Sequence, residues 1–399
     1  MTKPLIDIES TAAKPSRRIA LFDLGFRPFF LFSGIAAIVL MALWIDGYAL
    51  GHFASGYYDN VTWHSHEMIF GYTAAVISGF LLTAVRNWTG VQTPHGNALA
   101  GLVLLWLAGR IAPFFPLPGW AIATVDVAFL PAMAIALSFP LLRGGQRHNL
   151  IFLAILSVLT AADVMVHLQM LGFTGSTANI GIRFAVYVIV FLIAIISGRV
   201  IPFFTERGLM GATTRRWPAV ERFSMGALIV MIGLDISGSP PVLVAVSALL
   251  AAIGHGARWY GWYQKAVWSV PLLWVLHLGY AWLVAGLFLT AVSAAGVISQ
   301  ALAIHAFTAG AIGTMTLGMM ARVSLGHTGR ILRVGSAMTW AFMLANLAAA
   351  SRVVLPIFSA GRYREWIVVA GLFWSLAFAI FVISYVRILI QPRVDGRPG

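Results

Sequence analysis

Six consecutive residues, Trp63-His64-Ser65-His66-Glu67-Met68, concentrate the chemistry of this chain. Imidazole, thioether and carboxylate are donors for haem iron and for metals, and the sequence has no cysteine to compete with them. On a helix, His64 and His66 point to nearly opposite sides, so the pair does not share one metal. His64 does share a face with Glu67 and with Met68. A His/Met pair suits copper, and a single His suits haem iron. Two sites meeting at one helix are therefore geometrically reasonable; an unwound first turn would instead let both histidines converge. The string is weak by itself and draws its force from lying where an apolar span begins.

Ionisable groups inside apolar spans are expensive and tend to be functional. This chain has Glu67, Asp126, Asp163, His167, Arg183, Asp235, His277 and His305 in such places. Asp163 and His167 are spaced i,i+4, which suits a carboxylate orienting an imidazole, although a structural pair with Arg183 explains them equally well. At about 1.5 Å of rise per residue, His277 and His305 fall roughly 13 Å into their spans from opposite faces, both near the middle of the bilayer. Either alone could be interhelical hydrogen-bond glue, but two at one depth on successive spans favour ligands. His167 and Met68 complete the candidate metal donors, and Glu67 and Asp163 are candidate proton carriers.

What must hold these residues is lipid-embedded helix. Of 399 residues, 60% are apolar and 10% charged, against about 25% charged in a soluble domain. Apolar windows predict an all-α polytopic bundle of about twelve transmembrane helices at 29–50, 63–85, 97–115, 119–142, 149–172, 180–204, 220–237, 241–260, 268–290, 296–321, 333–356 and 366–390. Of the 26 Lys and Arg, 21 fall on the side of the termini and only Arg110, Arg183, Arg352, Arg362 and Arg364 on the other. The positive-inside rule then expects both termini in the cytoplasm. The net charge of +13 is scattered without a basic stripe, so nucleic acid is not an expected partner. The absence of cysteine excludes disulfides, iron–sulfur clusters and covalent c-type haem. The expected organisation is a cytoplasmic segment at 1–28 without a cleavable signal peptide, a membrane domain at 29–390 and a short tail at 391–399. The connection at 205–219 reads as a basic loop, and no strong internal repeat is apparent.

At the cytoplasmic side, arginines meet aromatics or glycines in Leu24-Gly25-Phe26-Arg27-Pro28-Phe29-Phe30, in Thr83-Ala84-Val85-Arg86-Asn87-Trp88-Thr89-Gly90, in Gly198-Arg199-Val200-Ile201-Pro202-Phe203-Phe204-Thr205 and in Arg322-Val323-Ser324-Leu325-Gly326-His327-Thr328-Gly329-Arg330. These clusters suit interfacial anchoring, and they equally suit closing a mouth or holding anionic groups. Together with the Trp63–Met68 string, in order and spacing across roughly 20–390, they resemble the NnrS family. The resemblance implies a bacterial inner-membrane protein containing haem b and copper and associated with nitric oxide metabolism, nitrosative stress and denitrification. It carries the matched residues Arg27, His64, His66, Glu67, Arg86, Arg199 and His327 as site candidates.

A looser likeness of architecture is to haem–copper oxidases, whose haem ligands come from spans 2 and 10, where this chain has His64 or His66 and His305. The adjacent His pair on a middle span and the two-His pattern on span 10 are missing here, which speaks against a three-His copper centre. Haem axial ligands are thus expected among His64, His66, His277 and His305, with nitric oxide as ligand, membrane lipid around the chain, and an electron donor or a homo-oligomer as further partners. If the protein is an enzyme, it is a haem-dependent oxidoreductase acting on nitric oxide. The competing expectations are a twelve-span secondary transporter for haem, metal or a nitrogen oxide, and, last, a sensor or assembly partner.

Overall fold

The computed structural model describes residues 19–53 and 55–396, so most of the expected 1–28 segment and the last residues of the 391–399 tail lie outside the described residues. The described chain is helical, without strands, as the apolar windows predict. In chain order the helices are α1 (Phe26–Leu50), α2 (Asn60–Thr89), α3 (Gly96–Phe114), α4 (Gly119–Arg143), α5 (Arg147–Met170), α6 (Thr177–Gly208), α7 (Pro218–Ile236), α8 (Pro241–Trp262), α9 (Pro271–Ala294), α10 (Gln300–His327), α11 (Ser336–Phe358) and α12 (Ala360–Ile390). Eleven are long and apolar enough to cross a membrane. The other, α7, matches the expected span at 220–237 but carries Glu221, Arg222 and Asp235.

The bundle is built of three arcs, α1–α4, α5–α8 and α9–α12. The second helices of the arcs, α2, α6 and α10, touch one another at the centre, while α4 packs on α5, α8 on α9, and α12 on α1 to close the ring. Burial follows this plan: 89% of the most apolar window of α2 and 72% of that of α10 are inside the protein, against 39% for α3, α4 and α12. Chemistry placed on α2 or α10 is thereby withdrawn from lipid.

Two of the three central helices, α2 and α10, are interrupted in the same way. In α2 the Asp59 carboxylate caps the first turn, accepting from the backbone N–H of Val61 and Thr62 at 3.0 Å. Partial burial acts the other way, yet these bonds hold the Asp59 carboxyl below its ordinary range. Asn60–His66 is α-helical, Glu67–Thr73 widens into a π segment, and α-helix resumes at Ala74. In α10 Ser299 caps, Gln300–His305 is α-helical, Ala306–Ile312 is π, and α-helix resumes at Gly313. Such segments release backbone carbonyls that lipid cannot satisfy. Here Trp106 Nε1 donates to Gly71 O at 2.9 Å and Thr73 Oγ1 to Met68 O at 2.7 Å.

The two helices also form a repeat that the sequence reading did not find. His66, Gly71, Gly79, Thr89 and Gly90 recur as His305, Gly310, Gly318, Thr328 and Gly329, at one constant offset that also superimposes the π segments. Five matches in a stretch of apolar residues are inconspicuous in sequence; the shared backbone break makes them visible. The repeat is parallel, since α2 and α10 run in the same direction through the bundle.

Where α5 crosses α6, Gly181 permits close approach: a Cβ there would lie 2.5 Å from the backbone oxygen of Ala162. That oxygen cannot swing aside as a side chain would, so Gly181→Ala pushes apart two helices, one of which carries Asp163. The expected cost is about 1–3 kcal/mol, read as a lowered thermal unfolding midpoint in detergent. An unchanged midpoint would show that α5 and α6 can separate freely.

Candidate metal centre

Four side chains meet where α2, α4 and α5 lie against one another. His66 from α2, Asp126 from α4 and Asp163 and His167 from α5 each direct one ligand atom inward, and those four atoms all lie within 4.8 Å of one another. His66 Nε2 is 2.9 Å from Asp163 Oδ1 and 3.6 Å from Asp126 Oδ2; His167 Nε2 is 3.6 Å from each of the same two oxygens. All four side chains are buried. His167 Nε2 and Asp126 Oδ2 have no hydrogen-bond partner. Buried polar atoms without partners are costly, and two of them converging with two further donor atoms describe a candidate cation site.

The other atoms of these groups are held from behind. His66 Nδ1 lies 3.2 Å from Glu67 Oε1, and the Tyr57 hydroxyl lies 2.8 Å from His167 Nδ1. Such contacts fix which ring nitrogen faces inward. Arg110, from α3, donates to Glu67 Oε1 at 2.8 Å and also to Asp126 Oδ1. The Tyr58 ring packs on His66 with centroids 5.1 Å apart. Counting charge, Glu67, Asp126 and Asp163 contribute three negatives against the one positive of Arg110, leaving −2 with neutral imidazoles. With the imidazoles neutral, as metal ligands must be, a divalent cation would bring the buried cluster to neutrality.

On the other side of α2 lies a second feature. His64 and His305 line one cavity, enclosing about 90 Å³, together with Met41, Met68, Tyr72 and Trp374. His64 is stacked on Trp44 at 4.2 Å between centroids. His305 Nδ1 donates to Ala301 O at 2.7 Å, which turns Nε2 outward from its own helix. Tyr72 and Thr316 join α2 to α10 just below, at 2.6 Å. The apolar lining carries no carboxylate. The first turn of α2 is wound, so His64 and His66 diverge: one faces the cavity and the other the cluster.

A model of the family described as NnrS protein matches residues 20–393. The chain belongs to the NnrS family. No curated protein matches it. NnrS proteins are membrane proteins of the nitric oxide response, associated with metal and haem binding, and this member has a buried His/Asp cluster of the kind a metal ion requires.

The remaining candidates of this NnrS chain are placed elsewhere. His277 lies near the end of the bundle that carries the termini, with Trp259 Nε1 donating to its Nδ1 at 3.2 Å and Thr205 Oγ1 3.1 Å from its Nε2. Both ring nitrogens are engaged, so His277 joins α9 to α8 and α6. It is also not level with His305: α9 starts at Pro271 at one end, α10 at Gln300 at the other, and each His sits within two turns of its helix start. The expectation of two mid-depth ligands on successive spans is therefore corrected; reading the spans a few residues too long moved both histidines inward. Met68 lines the His64 cavity and does not join the cluster. Arg183 pairs with Asp235 at 3.3 Å and leaves Asp163 to the cluster.

The arginine motifs gather at the terminal end. Arg27 donates to the carbonyls of Ile388, Leu389 and Gln391, closing the last turn of α12. Arg199 donates to Asn149 Oδ1 at 3.2 Å, Arg322 stacks over Phe204 at 3.6 Å, and His327 Nε2 lies 3.4 Å from Asn87. Arg86 is half-buried in the same region. None of these touches the cluster or the cavity, which lie towards the other end. Sequence reasoning missed Arg110 by counting it only as a topology charge, and it passed over Tyr57 and Tyr58. The available signal for Arg110 was its place inside a span, one helix away from Asp126.

Proposed function

We propose that this protein is a bacterial inner-membrane metalloprotein that handles nitric oxide, with a divalent transition metal bound by His66, Asp126, Asp163 and His167. The observation that carries the reading is the convergence of two imidazole nitrogens and two carboxylate oxygens, all buried, within 4.8 Å of one another. Two nitrogens and two oxygens suit copper(II), zinc, iron(II) or manganese and offer no soft donor for copper(I). Copper is the member of that set to which the family resemblance points.

The haem b of the same reading belongs in the cavity between α2 and α10, with His64 and His305 as iron ligands. The donors fit in kind: two imidazoles from facing helices and an apolar lining. The enclosed space of about 90 Å³ is below the ~150 Å³ that a benzene-sized guest fills. Porphyrin entry therefore displaces lining side chains, for which the unbranched Met41 and Met68 are suited. Haem would supply a redox-active iron able to take a diatomic gas; the chain's own part is to hold two imidazoles in an apolar, water-poor space. The cytoplasmic placing of the termini belongs to the same proposal and follows from the charge asymmetry.

The test is a reduced-minus-oxidised optical spectrum of the purified protein with metal analysis, before and after nitric oxide, on wild type, His64→Ala and His305→Ala. A b-type spectrum perturbed by nitric oxide in wild type and lost in both variants is the expected outcome. Full haem retention in both variants removes this cavity as its place. A second reading has one observation behind it: matched breaks in α2 and α10 are the kind of feature transporters use. Their repeat is parallel rather than inverted. A colourless, metal-free, folded protein that moves substrate into liposomes would favour that reading.

A further inference from the structure

Two tyrosines stand beside the His66–Asp126–Asp163–His167 cluster, and they meet it on different sides. Both belong to the connection between α1 and α2. There Ser55 Oγ accepts the backbone N–H of Tyr57 at 3.2 Å and of Tyr58 at 3.3 Å, and donates to Pro113 O at 3.2 Å. The Asp59 cap follows directly, so the backbone of Tyr58 is fixed before and after. Tyr57 reaches the rear of the cluster, its hydroxyl 2.8 Å from His167 Nδ1. Tyr58 reaches the front: its hydroxyl lies 3.5 Å from His66 Nε2, one of the four inward-facing atoms. Its buried ring lies against both imidazoles, with centroids 5.1 Å from His66 and 6.1 Å from His167. Among the described residues the Nε2 contact is the one hydrogen-bond contact of this hydroxyl, and it stands at the outer limit of such a bond.

A cation in the cluster removes even that contact. An imidazole nitrogen has one lone pair, so His66 Nε2 cannot ligate an ion and also accept from Tyr58. The phenol is then a buried donor that must find another acceptor. Two imidazoles and two carboxylates fill four positions, and tetragonal copper(II) takes further donors beyond four. A small ligand entering such a position brings the lone pairs that the phenol lacks. We infer that the Tyr58 hydroxyl donates a hydrogen bond to a small exogenous ligand, nitric oxide or a small anion, held by the cation of this cluster. The donor is placed by its own loop before the ligand arrives, which is the arrangement that stabilises charge on a bound group without reorganisation. This rests on the metal reading above. The competing acceptors are the carboxylates of Asp126 and Asp163, and a phenol that turns to them is indifferent to the ligand.

The experiment compares wild type, Tyr58→Phe and Tyr57→Phe, each full-length in detergent and loaded with copper(II). Azide, a small anion that accepts hydrogen bonds, is titrated in and followed by the copper electron paramagnetic resonance spectrum, with copper content measured on the same samples. Tyr58→Phe should keep its copper and bind azide at least about tenfold more weakly than wild type, the lower end of what a hydrogen bond to a charged group contributes. Tyr57→Phe should loosen copper, through His167, and leave the azide affinity of the loaded protein near that of wild type. Equal azide affinity in wild type and Tyr58→Phe would overturn the inference and leave the metal site standing, and so would a loaded wild type whose spectrum azide does not change. Equal weakening in both variants would mark a general distortion of the cluster and likewise overturn it. Loss of copper from Tyr58→Phe would make Tyr58 a support for the ring of His66 instead. A wild type that takes up no copper(II) or other divalent metal would overturn the metal reading and the role of Tyr58 together.

Discussion

Arg110→Met should be the most damaging single substitution near the cluster, costing about 3–5 kcal/mol, the usual result of removing one partner from a buried ion pair. Arg110 touches both Glu67 and Asp126, and among the described residues no other Lys or Arg pairs with either carboxylate. Without it, three carboxylates share one low-dielectric site with no fixed counter-charge. The thermal midpoint in detergent, or the yield of folded protein, should fall sharply. Arg110→Met with Asp126→Asn should recover most of the loss, because the double change removes a charge of each sign. Added divalent metal should also rescue the single variant, since a ligand that binds only the folded state stabilises it by about 2.7 kcal/mol at a hundred times its dissociation constant. Wild-type stability in Arg110→Met would mean that the cluster is already neutral by other means.

Metal content is expected to fall from about one ion per chain to under roughly a tenth in His66→Ala and in Asp163→Asn, by more than the ten- to hundredfold affinity loss that follows removal of an outer partner. Each of these substitutions deletes a donor atom facing the common centre. Glu67→Gln should behave differently. It keeps a side chain that can reach His66 Nδ1 and Arg110 but weakens the hold on the ring, so affinity should drop by about ten- to hundredfold with stoichiometry recoverable at high metal. Elemental analysis of the purified proteins, followed by competition titration with a chelator, separates the two outcomes. If His66→Ala keeps a full complement of metal, the ion sits elsewhere. The same samples report on His64: it faces away from the cluster, so His64→Ala should retain the ion while altering the cavity.

Much of this protein could be read without coordinates. The all-α membrane bundle followed from charge scarcity and twenty-residue apolar windows, because a helix in lipid must be apolar along its whole length and the signal is written in every residue. The divergence of His64 and His66 followed from helical periodicity alone, since a wound turn sends residues two apart to opposite sides. Asp163 and His167 were legible as a pair for the same reason.

What sequence did not determine is which helices meet. The cluster needs α2, α3, α4 and α5, and Asp126 and Arg110 become partners only because α3 and α4 fold back at one end. Depth estimates failed for His277 and His305 because helix ends carry no sharp mark in an apolar run, and an error of a few residues at 1.5 Å each moves a side chain by several ångströms. The matched π segments of α2 and α10 were invisible, since five identities diluted in apolar residues carry little information while a shared backbone break is unmistakable. Local pattern thus determined the spans and the face each side chain takes. Tertiary packing decided which of those faces look at one another, because contacts between helices far apart in the chain leave no periodicity behind.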